Sequence, residues 1–369
     1  MSGFGLRTLK KKSDNENKEK KRTYVKHLVF GENLASVLTF QKLYEQHPAD
    51  VKMLTRNPYS TADIHHDLKC SMQPIRSEEV ANKLIGMYPQ LEIFKKNEDV
   101  YFYKDTKFHK FGGRAKSHDL KEEEKFYQEP FYNYRPENLI HLTDEVFEQF
   151  QLNKIINSID LQAPTDLLEK TNFRLTTGDD EIIDCEYLYF CETPKRFFSM
   201  ITKKNDVPDS IAEYIAPLVN YRAITVYFEC SGEVYEPASS MIIPQSMTHE
   251  WGSFVLDFEE YDASTNTQNI KALSFIDEDI MQEEELAKKI RHMQKVIERV
   301  IPEFGKVEVS QTIKYSEEFY TDGINDELAP KLGEFPVKFI GTAAPIQMEN
   351  SKDFQYLPRT LASLESLNI

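Results

Sequence analysis

Apolar positions first crowd together at Tyr24 to Gly31 (YVKHLVFG), a short β-branched run of the kind a buried parallel strand makes. The spacing then turns helical: Leu34, Val37, Leu38, Phe40, Leu43 and Tyr44 share one stripe until His47-Pro48 interrupts it. A second apolar run, Val51 to Thr55, follows directly. Strand, tight turn, helix and strand within about 32 residues predict a βαβ unit, the opening of a doubly wound parallel sheet.

Further along, short strands are expected on either side of a turn at Gly178-Asp179-Asp180, the second containing the buried run Tyr187 to Cys191. Alternating patterns from Tyr221 to Ile243 and from Trp251 to Phe258 predict antiparallel strands with one wet face, in a second sheet. Leu286, Ile290, Met293, Val296, Ile297 and Val300 form one stripe of an amphipathic helix from about Glu284 to Val300, with Pro302 beyond it. Val337 to Gly341 reads as a last buried strand and Leu357 to Leu367 as a closing helix. No internal repeat is evident. The aromatic-rich stretches Tyr101 to Phe111 and Phe126 to Tyr134 suit either a hydrophobic core or the wall of a cleft.

Composition agrees with two interlocked domains, since 369 residues at 40% hydrophobic and 12% aromatic exceed one ordinary core. The expected partition is a disordered basic tail at 1–22, a nucleotide-binding-like unit from 23–75, 165–200 and 330–369, and a substrate-like unit from 76–164 and 201–329. The net charge of -16 conceals an asymmetry: residues 1–22 hold eight Lys or Arg against Asp14, Glu16 and Glu19, or +5, which leaves -21 for the rest. An acidic body argues against nucleic acid as a partner, because neutralising phosphates requires a basic face. The tail is expected to be solvated, with contact to an acidic partner as its functional alternative. No apolar run approaches the roughly 20 residues of a membrane span, and no signal-peptide core opens the chain, so a cytoplasmic location is expected. Cys70, Cys185, Cys191 and Cys230 show no ligand-like spacing, which favours reduced, buried thiols.

The chemistry concentrates at the end of the first predicted strand. A dinucleotide fold places G-x-G-x-x-G there, for the turn, for close approach of the pyrophosphate and for helix packing. In this chain those positions are Gly31, Asn33 and Ser36, so the turn glycine alone remains. The second strand, where an acidic residue would bind ribose hydroxyls, ends in Thr55 followed by Arg56, a pair better suited to a 2′-phosphate and hence to an NADP-type site.

With those pieces in place the chain resembles the flavin amine oxidase and protoporphyrinogen oxidase superfamily, of the Rossmann type. After the βαβ opening, FGGRAKS (Phe111 to Ser117) is similar to the family's Gly-Gly-Arg motif, which assigns Gly112, Gly113 and Arg114 to cofactor binding near flavin and pyrophosphate. Thr176 to Pro194 resembles the strand, Gly-Asp turn and strand that lead into a family proline, and Tyr315 to Gly323 resembles the segment before the last sheet strand. FIGTAA (Phe339 to Ala344) stands where the family has Gly-Asp, so Gly341 is kept while Thr342 replaces the Asp that holds the ribitol of FAD. MLTRNPYS (Met53 to Ser60) is also similar to the strand end of the Rab GDP-dissociation inhibitors, relatives that use the fold for binding.

The resemblance implies an FAD-dependent oxidoreductase acting on a small amine or apolar substrate, with Lys314 and Tyr315 as the residues nearest its chemistry. The structural alternative for that pair is an exposed strand lysine beside a core tyrosine. Three altered contacts, at Asn33, Thr55 and Thr342, imply that FAD binding is weak or lost. The rival reading is therefore a non-catalytic relative that takes a protein, lipid-like or small-molecule ligand in the cleft between the domains. Asp63, His65, His66 and Asp67 form a compact group with little promise as a metal site, because adjacent histidines in a strand or loop point apart. His109 and the pair His118-Asp119 fit a surface role better than acid–base catalysis.

Overall fold

A computed structural model describes residues 21–70, 72, 75, 77–95, 100–110, 132–162, 172–236, 240–245, 253–276 and 282–367. Strand β1 (Arg22–Phe30), helix α1 (Leu34–Gln46) and strand β2 (Val51–Thr55) form the expected βαβ unit. Pairing of β1 with β2 is parallel, His27 opposite Val51 and Phe30 opposite Leu54. Helix α1 starts where Asn33 caps it and buries Val37, Leu38, Phe40 and Leu43 on the sheet.

Strand Ile182–Phe190 lies parallel to β1 over its whole length, which places Phe30 beside Phe190. Its other edge is divided. The first half pairs antiparallel with Phe173–Thr177, across the Gly178–Asp180 turn, and the second half pairs parallel with Val337–Phe339. Four segments spread over more than 300 residues thus share one mainly parallel sheet, as the sequence predicted. Gln151–Asn153 extends this sheet beyond β2, and Ile156–Leu161 extends it beyond Phe173–Thr177. The sequence grouping had put residues 76–164 with the second unit. Both strands are short, and polar residues interrupt the apolar ones in QLN and INSIDL, so no continuous buried run advertised their place in the first sheet.

One face of the sheet packs on α1, helix Glu78–Met87 and the closing helix Leu357–Glu365, through Val29, Phe40, Met53, Leu84 and Leu361. The other face packs Leu28, Phe30, Phe190 and Phe339 against Phe197, Ile211 and Tyr214. Sheet strands covered on both faces need the continuous apolar runs seen at β1 and at Ile182–Phe190.

The second sheet orders its strands Val309–Asp322, Val219–Cys230, Gln268–Ile276, Phe254–Phe258, Ser240–Ile243, Val100–Lys104 and Lys107–Lys110. Neighbours are antiparallel except Ser240–Ile243 with Val100–Lys104. Helix Glu283–Val300 covers one face with the stripe of Ile290, Met293 and Ile297. The opposite face, with Phe102, Val255, Phe275 and Phe319, receives Tyr356 from the start of the closing helix, which joins the two units. The aromatic stretch beginning at Tyr101 therefore builds core at Phe102, and its continuation past residue 110 lies outside the described residues. All four cysteines are free and buried. Among the described residues, no helix is long and apolar enough to cross a membrane.

Candidate functional site

The carboxyl ends of parallel strands are where an open α/β sheet offers a crevice to ligands. Here β1 ends in Gly31 with φ +146°, a conformation a side chain would rarely adopt; a Cβ at that position would stand 3.2 Å from Cys191 Cβ and 3.4 Å from Ser36 Cβ. Gly341, with φ +132°, comes close to Ala35 and the Cys191 carbonyl from the other side. Gly31, Asn33, Ser36 and Gly341, read separately from the sequence, are thus brought together around Cys191.

Asn33 closes this turn on itself. Its side-chain oxygen accepts the Ser36 N–H at 2.9 Å, its own N–H donates to Ser36 Oγ at 3.1 Å, and its amide nitrogen donates to the Cys191 carbonyl at 2.6 Å. Two N–H donors of the helix start are consumed inside the turn by this capping box. Beside it, the Glu32 carboxylate accepts the backbone N–H groups of Arg56 and Asn57, the latter at 2.9 Å, and so lies across the end of β2.

Two further carboxylates converge there. Glu192 follows strand Ile182–Phe190 and pairs with exposed Arg56 at 3.3 Å and with Arg196 at 2.6 Å. Glu318 reaches over from the long edge strand of the second sheet and accepts the Thr193 N–H at 2.5 Å. Burial, reinforced by neighbouring carboxylates, pushes Glu192 up to about 7 against the pull of Arg56. Burial and then the charge of Glu192 push Glu318 up to about 8. Burial, and to a lesser degree the neighbouring Glu192 and Glu318, lifts the Cys191 thiol to about 12, so it stays protonated.

The remaining expected residues lie apart from this cluster. Thr55 is buried and donates its hydroxyl to Asn153 Oδ1 at 2.7 Å, so it serves the sheet edge. Thr342 meets Thr321 at 3.3 Å and lines a cavity of about 340 Å³ between the two units, with Tyr320, Asp322, Lys352, Gln355, Tyr356 and Arg359. The Arg359 guanidinium is committed within the fold: it holds Asp326 at 2.8 and 3.0 Å and the carbonyls of Ala344, Ser351 and Phe354.

Lys314 forms an ion pair with Asp67 at 2.9 Å and fastens helix Thr61–Lys69 to the second sheet. Seven steps along the extended strand, about 23 Å, separate it from Thr321. Tyr315 packs against the core beneath helix Glu283–Val300. Asp63, His65, His66 and Asp67 sit on that same helix rather than in a strand or loop; Asp63 completes its capping box and Asp67 accepts from Tyr59. His109 contacts the Lys104 carbonyl at 3.1 Å. Gly112, Gly113, Arg114 and the His118-Asp119 pair lie outside the described residues. Sequence reasoning missed Glu32 and Glu192, which carried a usable signal as acidic residues just past two strand ends. Glu318 carried none, because only the tertiary fold brings it to the crevice.

No protein-family profile and no curated protein sequence matches the chain. Solved structures do. Cyclohexylamine oxidase from Brevibacterium oxydans IH-35A superposes with a TM-score of 0.58 at 9% identity, over 93% of this chain and 97% of that one. Putrescine oxidase bound to putrescine gives 0.57 at 7% identity, over 94% and 98%. This chain has the flavin amine oxidase fold. A Rab GDI from Plasmodium falciparum also aligns, with a TM-score of 0.40 at 12% identity over 80% and 89%, too distant to add to the argument. At such identities the flavin amine oxidase fold is what is shared, and the residues on it are this chain's own.

Proposed function

We propose that this chain uses the flavin amine oxidase fold as a non-catalytic binding scaffold, with FAD weakly bound or lost. The observation that carries the reading is the crevice beyond β1 and Ile182–Phe190. A pyrophosphate needs free helix N–H groups and a positive field. Asn33 and Ser36 instead use two such donors within the turn, and the acidic side chains of Glu32, Glu192 and Glu318 line the approach and supply no positive charge. These residues do not fit the diphosphate of FAD, nor the 2′-phosphate of an NADP-type ligand, because Arg56 is already paired with Glu192. The Lys314–Asp67 ion pair likewise supports a structural role for Lys314.

The cavity beside Thr342 is the ligand site this reading favours. At about 340 Å³ it lies at the small end of the range of about 300–1,000 Å³ typical of small-molecule pockets, and its hydroxyls, Asp322 and Lys352 suit a small polar molecule better than a lipid chain. The deciding experiment is flavin content. Protein purified without added flavin is expected to be colourless, and added FAD to bind weakly if at all. A yellow preparation absorbing near about 450 nm, releasing stoichiometric FAD on denaturation, would establish the oxidase reading instead.

A further inference from the structure

Glu318 and Glu192 come from opposite sides of the junction between the two sheets. Glu318 belongs to strand Val309–Asp322 of the second sheet, and the N–H it accepts belongs to Thr193, the N-cap of helix Pro194–Met200 behind the first. Glu192 is the residue before that cap, held between Arg56 and Arg196. Glu32, from the end of β1, and Glu317, on the same strand as Glu318, add negative charge around the pair. Among the described residues, the cations paired with Glu192 are Arg56 and Arg196. A contact that joins two units through buried carboxylates holds only while few of them are charged, since like charges in a low-dielectric junction repel strongly.

We propose that Glu192 and Glu318 form a proton-gated latch between the two sheets, closed while at least one carboxyl of the pair is protonated and loosened when both are ionised. Release of the second proton to solvent leaves two like charges at the Thr193 junction. Loosening then separates Val309–Asp322 from the loop at Thr193, and exposes the crevice beyond Gly31 and Asn33. The sign follows from linkage. Both groups take up protons more readily in the folded chain than in the unfolded one, whose glutamates titrate near the ordinary 4.5. The latch's contribution to stability is therefore complete below that value and is lost as pH rises through about 7 to 8.

Hydrogen–deuterium exchange on the full chain at about pH 6 and about pH 9, corrected for the intrinsic exchange rate, reads the latch directly. Protection of the segments around 191–200 and 316–322 is expected to fall at least about tenfold at the higher pH, while helix Glu283–Val300 changes little. Glu318→Gln keeps an oxygen to accept the Thr193 N–H and removes the charge, so it should abolish most of that fall. Carbon-13 glutamate NMR on the unaltered protein provides a check that needs no variant, with two side-chain carboxyls expected to titrate above about 6. Equal protection at both pH values, the same loss in Glu318→Gln, or no carboxyl titrating above about 6 would each overturn the proposal.

Discussion

The amide of Asn33 donates to the carbonyl of Cys191 across 2.6 Å, which ties the first turn of α1 to the end of the neighbouring strand Ile182–Phe190. In a dinucleotide site that position belongs to a glycine because the ligand approaches the backbone there. An asparagine that caps the helix with one atom and bridges to the next strand with another has turned a ligand contact into an internal one.

Replacing Asn33 by Ala should therefore cost stability. Loss of an N-cap is worth about 0.5–2 kcal/mol, and loss of the bridge to Cys191 adds about 1 kcal/mol. Asn33→Asp keeps the cap acceptor but cannot donate to Cys191, so it should fall between the two. Urea denaturation followed by far-UV circular dichroism measures both. Equal stability of Asn33→Ala and the unaltered chain would show that the capping box contributes nothing.

Restoring cofactor binding should require removal of charge more than restoration of family carboxylates. Asn33→Gly combined with Thr55→Glu and Thr342→Asp follows the resemblance alone, but Thr55 is buried and bonded to Asn153, where a glutamate would be charged and desolvated. Asn33→Gly with Glu32→Gln and Glu318→Gln instead frees the turn and, at about pH 9 where Glu318 is ionised, lowers the negative field. Calorimetric titration with ADP, which carries the diphosphate without the flavin, is expected to show at least about tenfold tighter binding for the second combination than for the first. The reverse order would locate the defect in the ribose contacts.

Arg359 and Asp326 tie the closing helix to the turn Asp326–Leu328 that precedes strand Val337–Phe339. Burial works to raise the Asp326 carboxyl, yet the hydrogen bonds and charge of Arg359, with the Ile346 N–H, hold it below the usual carboxylate range. A depressed folded-state value contributes stability above the unfolded one, and that contribution disappears as acid protonates the group. Arg359→Met leaves Asp326 unpaired and should cost about 3–5 kcal/mol, whereas the double variant with Asp326→Asn should recover part of it. The double-mutant cycle is read from urea midpoints near neutral pH and again near about pH 3, where the coupling should shrink.

Much of the architecture was written in local pattern. A run such as YVKHLVFG, a stripe such as Leu34 to Leu43 and the stop at His47-Pro48 each constrain a few adjacent residues, and β1, α1 and β2 follow from them because hydrophobic period and chain stops are local properties. The degenerate turn at Gly31, Asn33 and Ser36 was legible for the same reason, and it proved to be one compact motif. The strands QLN and INSIDL escaped notice because their place depends on which edge they hydrogen-bond to, not on their own periodicity. Tertiary structure alone decided what the crevice became. Glu318 is separated from Glu192 by 126 positions and from Glu32 by 286, and no spacing rule connects them. Their shared field exists because one strand of the second sheet passes over the carboxyl ends of the first. Charge acts through space, so the sequence gives each glutamate its sign, while the fold sets the company it keeps.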